Sequence, residues 1–263
     1  MERKKTIAII PARLHSKRFP GKALAEIFSV PMIGHVYYRA SMCHDLDKII
    51  IVTPDSQIRQ YAENVLKATV LEIKSEENNP LEISALALKK YQQQTGEKYE
   101  IAVVISGDEP MITHDMIANA ISPFYIQKDL KASCLMCQIT SDQDFFDRNQ
   151  VKVIIDTNNY ALYFSREPIP SRFKGKLGIP PLKKVNVMPF NAEFLIHLLE
   201  LPPTTYEAIE EIPMLRVLEY GYKVKMIMNE TITYAVDTKE DLEKIKKLMK
   251  NDYLLPRYIS GIN

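Results

Sequence analysis

Four basic residues follow directly on the first apolar stretch of the chain. Residues 7–10 have the sequence IAII, which is typical of a short strand covered on both faces. A proline at position 11 ends the strand because it has no N–H group, and the proline-glycine pair at 20–21 predicts a turn. The loop in between and just beyond carries Arg13, Lys17, Arg18 and Lys22. Open α/β sheets bind ligands beyond the carboxyl ends of their strands, so the loop predicts a polyphosphate site; a solvated basic loop is the alternative.

Carboxylates follow two later strand-like stretches. Ser106, Gly107 and Asp108 come directly after the apolar residues 101–105, and Asp237 follows a stretch near the end of the chain. An aspartate at the end of a strand can bind a hard divalent cation, and Gly107 would let the backbone approach a ligand. Mg2+ typically binds one or two protein carboxylates together with phosphate oxygens and water. Two aspartates and a basic phosphate loop are therefore compatible with a Mg2+-nucleotide site.

Both aspartates also have a structural interpretation. Asp108 could belong to a glycine-containing turn with solvent-facing acids, and Asp237 could be the N-cap of a helix that begins near Lys239.

The sequence has no Walker P-loop, no H-x-x-H pair and no serine-hydrolase elbow. Cys134 and Cys137 have C-x-x-C spacing, but positions three apart on a strand face opposite ways, which indicates core thiols.

The predicted elements place these motifs at one edge of a sheet. Strands predicted over 48–53, 68–73 and 100–105 alternate with helices predicted over 31–43, 55–66 and 80–94. This alternation implies right-handed crossovers and a parallel sheet with helices on both faces. Residues 131–190 instead contain strand-like segments with fewer helices, which predicts a smaller antiparallel lobe that could serve dimerisation. Helices over 191–200, 214–220 and 239–250 and a strand over 223–228 complete the prediction.

Length and composition fit one large α/β domain over residues 1–263. Of the 263 residues, 46% are hydrophobic and 25% are charged, as in ordinary globular proteins. The formal net charge of +1 gives no global attraction to nucleic acid or to an anionic membrane, so neither is an expected partner. The sequence shows no signal peptide and no apolar run of about 18 residues, and its three cysteines fit a reducing compartment. The expected location is the cytoplasm.

Several motifs together resemble a known family. They are IIPAR (9–13), RFPGK (18–22), GDEPMI (107–112), VKVIID (151–156), YALYFSR (160–166), LRVLEYG (215–221) and VDTKEDL (236–242). In order and spacing they are similar to the sugar-activating nucleotidyltransferases, and most closely to the 3-deoxy-manno-octulosonate (Kdo) cytidylyltransferases, or CMP-Kdo synthetases. The resemblance spans nearly the whole chain. It implies a Rossmann-like nucleotidyltransferase fold, mainly a parallel sheet with a small antiparallel lobe, and a homodimer.

The resemblance also implies an activity and a set of site residues. The reaction would join CTP to an acidic 2-keto sugar, Kdo or a related acid, with release of pyrophosphate, for lipopolysaccharide or other surface glycan synthesis. Mg2+ would be the cofactor, bound by Asp108 and Asp237. Arg13 and Lys22 would contact the triphosphate. The implied catalytic residues are Arg13, Lys22 and Asp108, and the implied nucleotide contacts are Ala12, Arg13, Lys22, Ser106 and Gly107.

The chain departs from the family pattern on the base side and the sugar side. Residues 78–82 (NNPLE) replace a T/S-G-T/S-E-R segment, Ser106 replaces a glutamine, residues 184–190 (KVNVMPF) replace H-L-G-I-Y-G-Y, and residues 213–214 (PM) replace a Glu-Gln pair. A site that loses such hydrogen-bonding partners loses discrimination. Transfer to a different acidic acceptor, or a non-catalytic nucleotide-binding paralogue, are therefore the alternatives. Candidate cations for the acceptor's carboxylate are Arg166, Arg172, Lys183 and Lys184.

Overall fold

The computed structural model describes residues 3–74, 79–175, 178 and 180–259. The strands are β1 (Thr6–Pro11), β2 (Glu26–Ile27), β3 (Val30–Pro31), β4 (Lys48–Val52), β5 (Thr69–Leu71), β6 (Ile101–Ile105), β7 (Ala132–Gln138), β8 (Lys152–Ile155), β9 (Ala161–Ser165), β10 (Leu182–Val185), β11 (Val187–Asn191) and β12 (Val224–Met228). The helices are α1 (Met32–Ser41), α2 (Ser56–Asn64), α3 (Pro80–Thr95), α4 (His114–Ile121), α5 (Pro123–Ile126), α6 (Asp142–Phe146), α7 (Ala192–His197), α8 (Thr205–Glu210), α9 (Met214–Glu219) and α10 (Lys239–Met249). Short 3-10 helices cover Lys22–Leu24, Leu198–Glu200 and Leu255–Arg257.

Most strands belong to one mixed sheet, which in the described residues has the order β5-β4-β1-β6-β11-β7-β10-β8-β9, with β12 beside β7. The pairs from β5 to β6 are parallel. From β6 to β9 every pair along this order is antiparallel, and β12 joins β7 in parallel. A separate antiparallel pair consists of β2 and β3. The predicted fold class, an α/β sheet with an antiparallel addition, is confirmed. The dimerisation role suggested for residues 131–190 stays a prediction.

The apolar strand β1 lies at the centre of the parallel half because it can bury both of its faces. Ile7 and Ile9 pack in one hydrophobic cluster, and Ala8 and Ile10 in another on the opposite face. Helices α3 and α7 contribute to the first cluster, whereas α1 and α4 contribute to the second. Helices therefore cover both faces of the sheet, as strand-helix alternation predicts. The carboxyl ends of β1, β4 and β6 lie at the same edge because these strands are parallel.

Element boundaries follow local signals where those signals are strong. Pro80 begins α3 behind the N-cap Asn79, and Gly96 ends it in a left-handed conformation, as the sequence predicts. Helices α4, α5, α6 and α8 are missing from the prediction because four to eight residues give few helical repeats.

Cys134 and Cys137 are buried on opposite faces of β7, which confirms that they are core thiols. None of the helices that the structure describes has the length and hydropathy of a membrane span.

Candidate active site

The basic loop after β1 is anchored to the neighbouring strand-helix connection. Gly21 adopts a left-handed conformation, with φ of 77°, and its N–H donates to the carbonyl of Leu14 at 2.8 Å. The N–H of Leu14 donates to the carboxylate of Asp55 at 2.7 Å. Asp55 occupies the N-cap position of α2, but within the described residues its side chain binds the loop instead of the helix. This contact fixes where the loop's cations lie.

The ammonium of Lys22 joins the two aspartates that were predicted to bind Mg2+. Its Nζ lies 2.6 Å from Asp108 Oδ2 and 3.0 Å from Asp237 Oδ1, and it also donates to the carbonyl of Val236 at 3.0 Å. The three side chains are only 15 to 20% exposed. Residues far apart in sequence thus meet at one nitrogen.

The pKa values of this cluster reflect burial and charge pairing. Burial by itself opposes the charged form of Lys22, but the carboxylates of Asp108 and Asp237 raise its pKa above the ordinary value. Burial likewise opposes ionisation of Asp108, whereas the Lys22 charge and the hydrogen bonds from Lys22 and Ser106 lower the pKa of that carboxyl. These opposite shifts favour the charged forms of Lys22 and Asp108, which form an ion pair.

Asp108 is positioned by its neighbours at the end of β6. The hydroxyl of Ser106 donates to Asp108 Oδ1 at 2.6 Å, and the carbonyl of Asp108 accepts from the N–H of Val236 at 2.9 Å. The latter bond brings the segment with Asp237 to the same place. Thr238 is the N-cap of α10 and forms a capping box with Asp241. The alternative interpretation of Asp237 as the N-cap is thus wrong, and its carboxylate is turned to Lys22.

Glycine is required at position 107 because two strand ends approach each other closely. A Cβ there would lie 2.9 Å from the carbonyl oxygen of Pro11 and 3.2 Å from Cδ1 of Ile33. Ala12, the next residue after Pro11, is buried and its N–H donates to the carbonyl of Val52 at 2.9 Å. The sequence interpretation attributed Gly107 to the approach of a ligand, whereas the structure shows a packing reason. Contact of Ala12 and Gly107 with a nucleotide stays a prediction.

Two arginines of the loop lie near the carboxylates. Burial lowers the pKa of Arg13, although the nearby charges of Asp108 and Asp55 act in the opposite direction. Arg18 forms an ion pair with Asp237 at 2.7 Å and donates to the side chain of Asn149. The sequence placed Arg18 among the loop cations but not among the site residues. The position of Arg18 in the same loop as Lys22 was the signal that could have identified it as a site residue.

A polar cavity lies beside Asp108. The carboxyl of its neighbour Glu109 is buried, and its Oε1 accepts from the backbone N–H of Asn186 at 3.2 Å and from its side-chain amide at 2.9 Å. Burial and the adjacent charge of Asp108 raise the pKa of Glu109 to about 7. Asn186 separates β10 from β11, and its carbonyl accepts from the N–H of Ser106 at 3.1 Å.

The segment that replaces the T/S-G-T/S-E-R motif is occupied by an ion-pair network. Asn78 lies outside the described residues. Asn79 donates to Glu207 at 2.9 Å, and Glu82 pairs with Arg216 at 2.5 Å. Arg216 also pairs with Glu207 at 2.6 Å. These side chains connect α3 to α8 and α9, so they contribute to packing between helices.

The donor set at Lys22 fits a hard cation. Two carboxylates converge on one positively charged group, which shows that the position stabilises positive charge. Among the described residues, no group of three or more His, Cys, Asp or Glu side chains is arranged to hold a metal. A Mg2+ ion here would therefore complete its ligands with phosphate oxygens and water, as it commonly does.

A cationic loop after β1 and two carboxylates that meet at Lys22, Asp108 after β6 and Asp237 in a segment without strand structure, are compatible with a nucleotidyltransferase, and comparison with known proteins shows that class. Residues 7–227 match the family model described as Cytidylyltransferase, and the chain belongs to this family. It is 36% identical to the 3-deoxy-manno-octulosonate cytidylyltransferase of Thermodesulfovibrio yellowstonii, over 93% of this chain and 98% of that protein. It is 34% identical to the mitochondrial 3-deoxy-manno-octulosonate cytidylyltransferase of Arabidopsis thaliana, over 94% and 84%.

A solved structure extends the likeness to three dimensions. The fold superposes with a TM-score of 0.83 on CMP:2-keto-3-deoxy-manno-octonic acid synthetase complexed with CTP. The two chains are 28% identical, and the match covers 93% of this chain and 98% of the other. The resemblance to the Kdo cytidylyltransferases inferred from the motifs is therefore confirmed.

Proposed function

We propose that the protein transfers the cytidylyl group of CTP to Kdo, or to a closely related acidic 2-keto sugar, and releases pyrophosphate in a Mg2+-dependent reaction. The observation that carries this proposal is the meeting of Lys22 with Asp108 and Asp237 beside the basic loop. The relatives that match this chain over most of their length are named as Kdo cytidylyltransferases, and this supports the choice of CTP and Kdo. The activated sugar would serve the synthesis of lipopolysaccharide or another surface glycan.

The proposed chemistry is a direct displacement at the α-phosphorus of CTP. The anomeric hydroxyl oxygen of the acceptor bonds to the α-phosphorus and gives its proton to solvent. The bond from that phosphorus to the oxygen that bridges it to the β-phosphorus breaks, and pyrophosphate leaves with that oxygen. Asp108 and Asp237 would hold Mg2+, which when bound neutralises phosphate charge and brings nucleophile and phosphate together. Lys22 and Arg13 bind the triphosphate and neutralise the charge that develops on pyrophosphate. Ser106 orients the carboxylate of Asp108 through the hydrogen bond from its hydroxyl.

One observation favours a modified acceptor over Kdo itself. The family pattern has a histidine, a tyrosine and a Glu-Gln pair at positions that are Lys184, Met188 and Pro213-Met214 in this chain. Lys184 lines the cavity beside Asp108. A changed set of side chains would recognise a changed set of hydroxyl groups. The second candidate function is thus the same transfer to a different acidic acceptor. The cytoplasmic location and the homodimer stay predictions from the sequence and the resemblance.

The proposal is tested by measuring pyrophosphate release. The wild-type protein is incubated with Mg2+, CTP and each member of a panel of 2-keto sugar acids that includes Kdo, and UTP, ATP and GTP replace CTP in parallel reactions. Asp108→Asn serves as the blank. We expect release with CTP and one acid, and loss of release in the variant. If no acid supports release while CTP still raises the melting temperature, the protein is a non-catalytic nucleotide-binding paralogue.

A further inference from the structure

The segment that carries Asp237 has no regular secondary structure. Residues 229–238, all of them described by the structure, lie between β12 and α10 and belong to no helix or strand. Contacts with other elements must therefore place the carboxylate of Asp237. On the side of α10, the N–H of Asp237 donates to Asp241 Oδ2 at 3.0 Å. On the side of β12, the segment is held at Tyr234.

The side chain of Tyr234 contacts charged side chains from three elements. Its hydroxyl donates to Oδ2 of Asp144, on α6, at 2.9 Å. The ammonium groups of Lys183, on β10, and Lys244, on α10, lie 3.9 Å and 3.5 Å from the centre of its ring. Lys244 also pairs with Asp144 Oδ1 at 3.3 Å. Asp144, Lys183, Tyr234 and Lys244 form what we call the Tyr234 cluster.

Burial strengthens the contacts of this cluster. Lys183 is 2% exposed and Asp144 is 7% exposed. A contact between an ammonium and an aromatic ring is strongest where water is excluded, and Lys183 also donates to the backbone carbonyl of Thr233 at 2.8 Å. Burial, and then the hydrogen bond to Asp144, raises the pKa of Tyr234, so its hydroxyl keeps the proton that it donates. Residues 233 and 234 are thus bound through both backbone and side chain.

The backbone connects these contacts to the carboxylate of Asp237. Two residues after Tyr234, the N–H of Val236 donates to the carbonyl of Asp108 at 2.9 Å, and the carbonyl of Val236 accepts from Lys22 at 3.0 Å. Asp237 Oδ1 lies 3.0 Å from the same ammonium. Within the described residues, no hydrogen bond joins the side chains of Tyr234 and Asp237. A change at Tyr234 would therefore reach the carboxylate by moving the two residues between them.

We propose that Tyr234 is a positioning residue for the proposed Mg2+ site: the Tyr234 cluster fixes the backbone that carries Asp237 and so sets where its carboxylate lies. This inference rests on the proposed function, because that function assigns Asp237 to Mg2+. Groups that orient a metal ligand commonly change metal affinity by about 10- to 100-fold when they are replaced. If the cluster only joined α6 to α10, a substitution at Tyr234 would change stability and leave metal affinity unchanged.

The test is a double-mutant cycle on Mn2+ affinity in the presence of CTP and without an acceptor. Electron paramagnetic resonance titration of free Mn2+ measures the affinity, and a titration of CTP alone is subtracted. We expect Tyr234→Leu to weaken Mn2+ binding by about tenfold. In the Asp237→Asn background the same substitution should weaken it by less than about twofold, because the ligand through which it acts is gone. In the Asp108→Asn background the loss of about tenfold should remain.

Tyr160→Leu is the matched control. The ammonium groups of Lys223 and Lys225 also contact the Tyr160 ring, at 5.3 Å and 4.8 Å from its centre. Its hydroxyl donates to Gln127 at 3.0 Å. Tyr160 pairs with Lys225 near the start of β12, whereas the segment with Asp237 follows the end of that strand. Tyr160→Leu should therefore leave the Mn2+ affinity within about twofold of wild type.

The outcomes separate this inference from the proposed function. If Tyr234→Leu leaves the Mn2+ affinity unchanged, or weakens it equally with and without Asp237→Asn, the inference is wrong while the function stands. If the wild-type protein binds no Mn2+ beyond that held by CTP alone, or if Asp237→Asn binds it as tightly as wild type, the metal assignment of the proposed function fails and the inference fails with it.

Melting temperatures of all variants are measured beside the titrations. If Tyr234→Leu does not fold, Tyr234→Phe replaces it in the same cycle. The phenylalanine variant keeps the ring and loses only the hydrogen bond to Asp144, so we expect it to weaken Mn2+ binding by about threefold. An unchanged Mn2+ affinity in a folded Tyr234→Phe variant would then contradict the inference.

Discussion

The ammonium of Lys22 lies where the charges of three segments meet. It contacts the carboxylates of Asp108 and Asp237 and the carbonyl of Val236. Arg18 adds a second cation at Asp237, at 2.7 Å. In the free protein, the cations that would bind phosphates are thus the counterions of the carboxylates that would bind Mg2+. Binding of the Mg2+-nucleotide complex would exchange these internal pairs for pairs with the ligand.

Asp108 is the carboxylate whose removal tests the site most simply. We expect Asp108→Asn to lower kcat/KM by about 100-fold or more, because it removes one of the two carboxylate charges proposed to hold Mg2+ while it keeps the side-chain shape. Asp115→Asn is the matched control, since Asp115 is an exposed aspartate outside the site. Steady-state kinetics of pyrophosphate release measures both variants. An Asp108→Asn variant as active as wild type would remove Asp108 from the mechanism.

Lys22 should compete with a divalent cation for the two carboxylates. We expect Lys22→Met to bind Mn2+ in the absence of nucleotide at least about tenfold more tightly than wild type, a change of about 1.4 kcal/mol. The reason is that the variant leaves two carboxylates without their shared ammonium. Electron paramagnetic resonance titration of free Mn2+ measures the affinity, and Lys17→Met, at an exposed lysine of the same loop, is the control. Equal affinities for Lys22→Met and wild type would show that Lys22 does not occupy the metal position.

Helix α1 connects the small β2-β3 sheet to the C-terminal segment through a buried histidine. His35 Nε2 lies 2.7 Å from the carbonyl of Ile27, and Nδ1 lies 2.8 Å from the hydroxyl of Tyr258. Arg39 Nε donates to the same hydroxyl at 2.9 Å. These contacts assign the neutral form in which Nε2–H donates to Ile27 and Nδ1 accepts from Tyr258. Burial, and to a smaller extent the charge of Arg39, lowers the pKa of His35 to about 4.

This histidine predicts a specific acid sensitivity. The pKa of His35 is about 4 in the folded protein and 6.5 in its ordinary state, so between these values the unfolded chain binds a proton that the folded chain does not. The free energy of unfolding should therefore fall by up to about 3 kcal/mol as the pH decreases from 6.5 to 4. Urea denaturation at several pH values measures this fall. His35→Gln should reduce it, whereas His15→Gln, at an exposed histidine, should not; parallel profiles for all three proteins would contradict the assignment.

The junction of β1 and β6 explains the glycine at position 107. We expect Gly107→Ala to lower the free energy of unfolding by about 1 to 3 kcal/mol, because its methyl group meets the carbonyl of Pro11 and the side chain of Ile33. Urea denaturation measures the loss. Gly107→Ala combined with Ile33→Val should remain destabilised, since the Pro11 carbonyl belongs to the backbone. A stable Gly107→Ala variant would show that the two strand ends can separate without cost.

At the scale of the whole molecule, the sequence predicts one half of the sheet better than the other. Strands β1, β4 and β6 and the aspartates or cations that follow them could be predicted because each strand and its loop are contiguous in sequence. The position of β11 between β6 and β7 could not, because pairing between distant segments leaves no local pattern. The contacts of Arg166 with Glu210 and of Glu109 with Asn186 could not be predicted for the same reason.

The proposed reaction joins CTP to Kdo or a related sugar acid and releases pyrophosphate. The most direct measurement is 31P NMR of the wild-type protein with Mg2+, CTP and Kdo, repeated with the acid that gives the strongest pyrophosphate release. We expect the three CTP signals to disappear while one phosphodiester signal and pyrophosphate appear in equimolar amounts. When excess EDTA is added at the start, the CTP signals should stay unchanged. Unchanged CTP with every acid, or CMP and pyrophosphate without a phosphodiester, would contradict it.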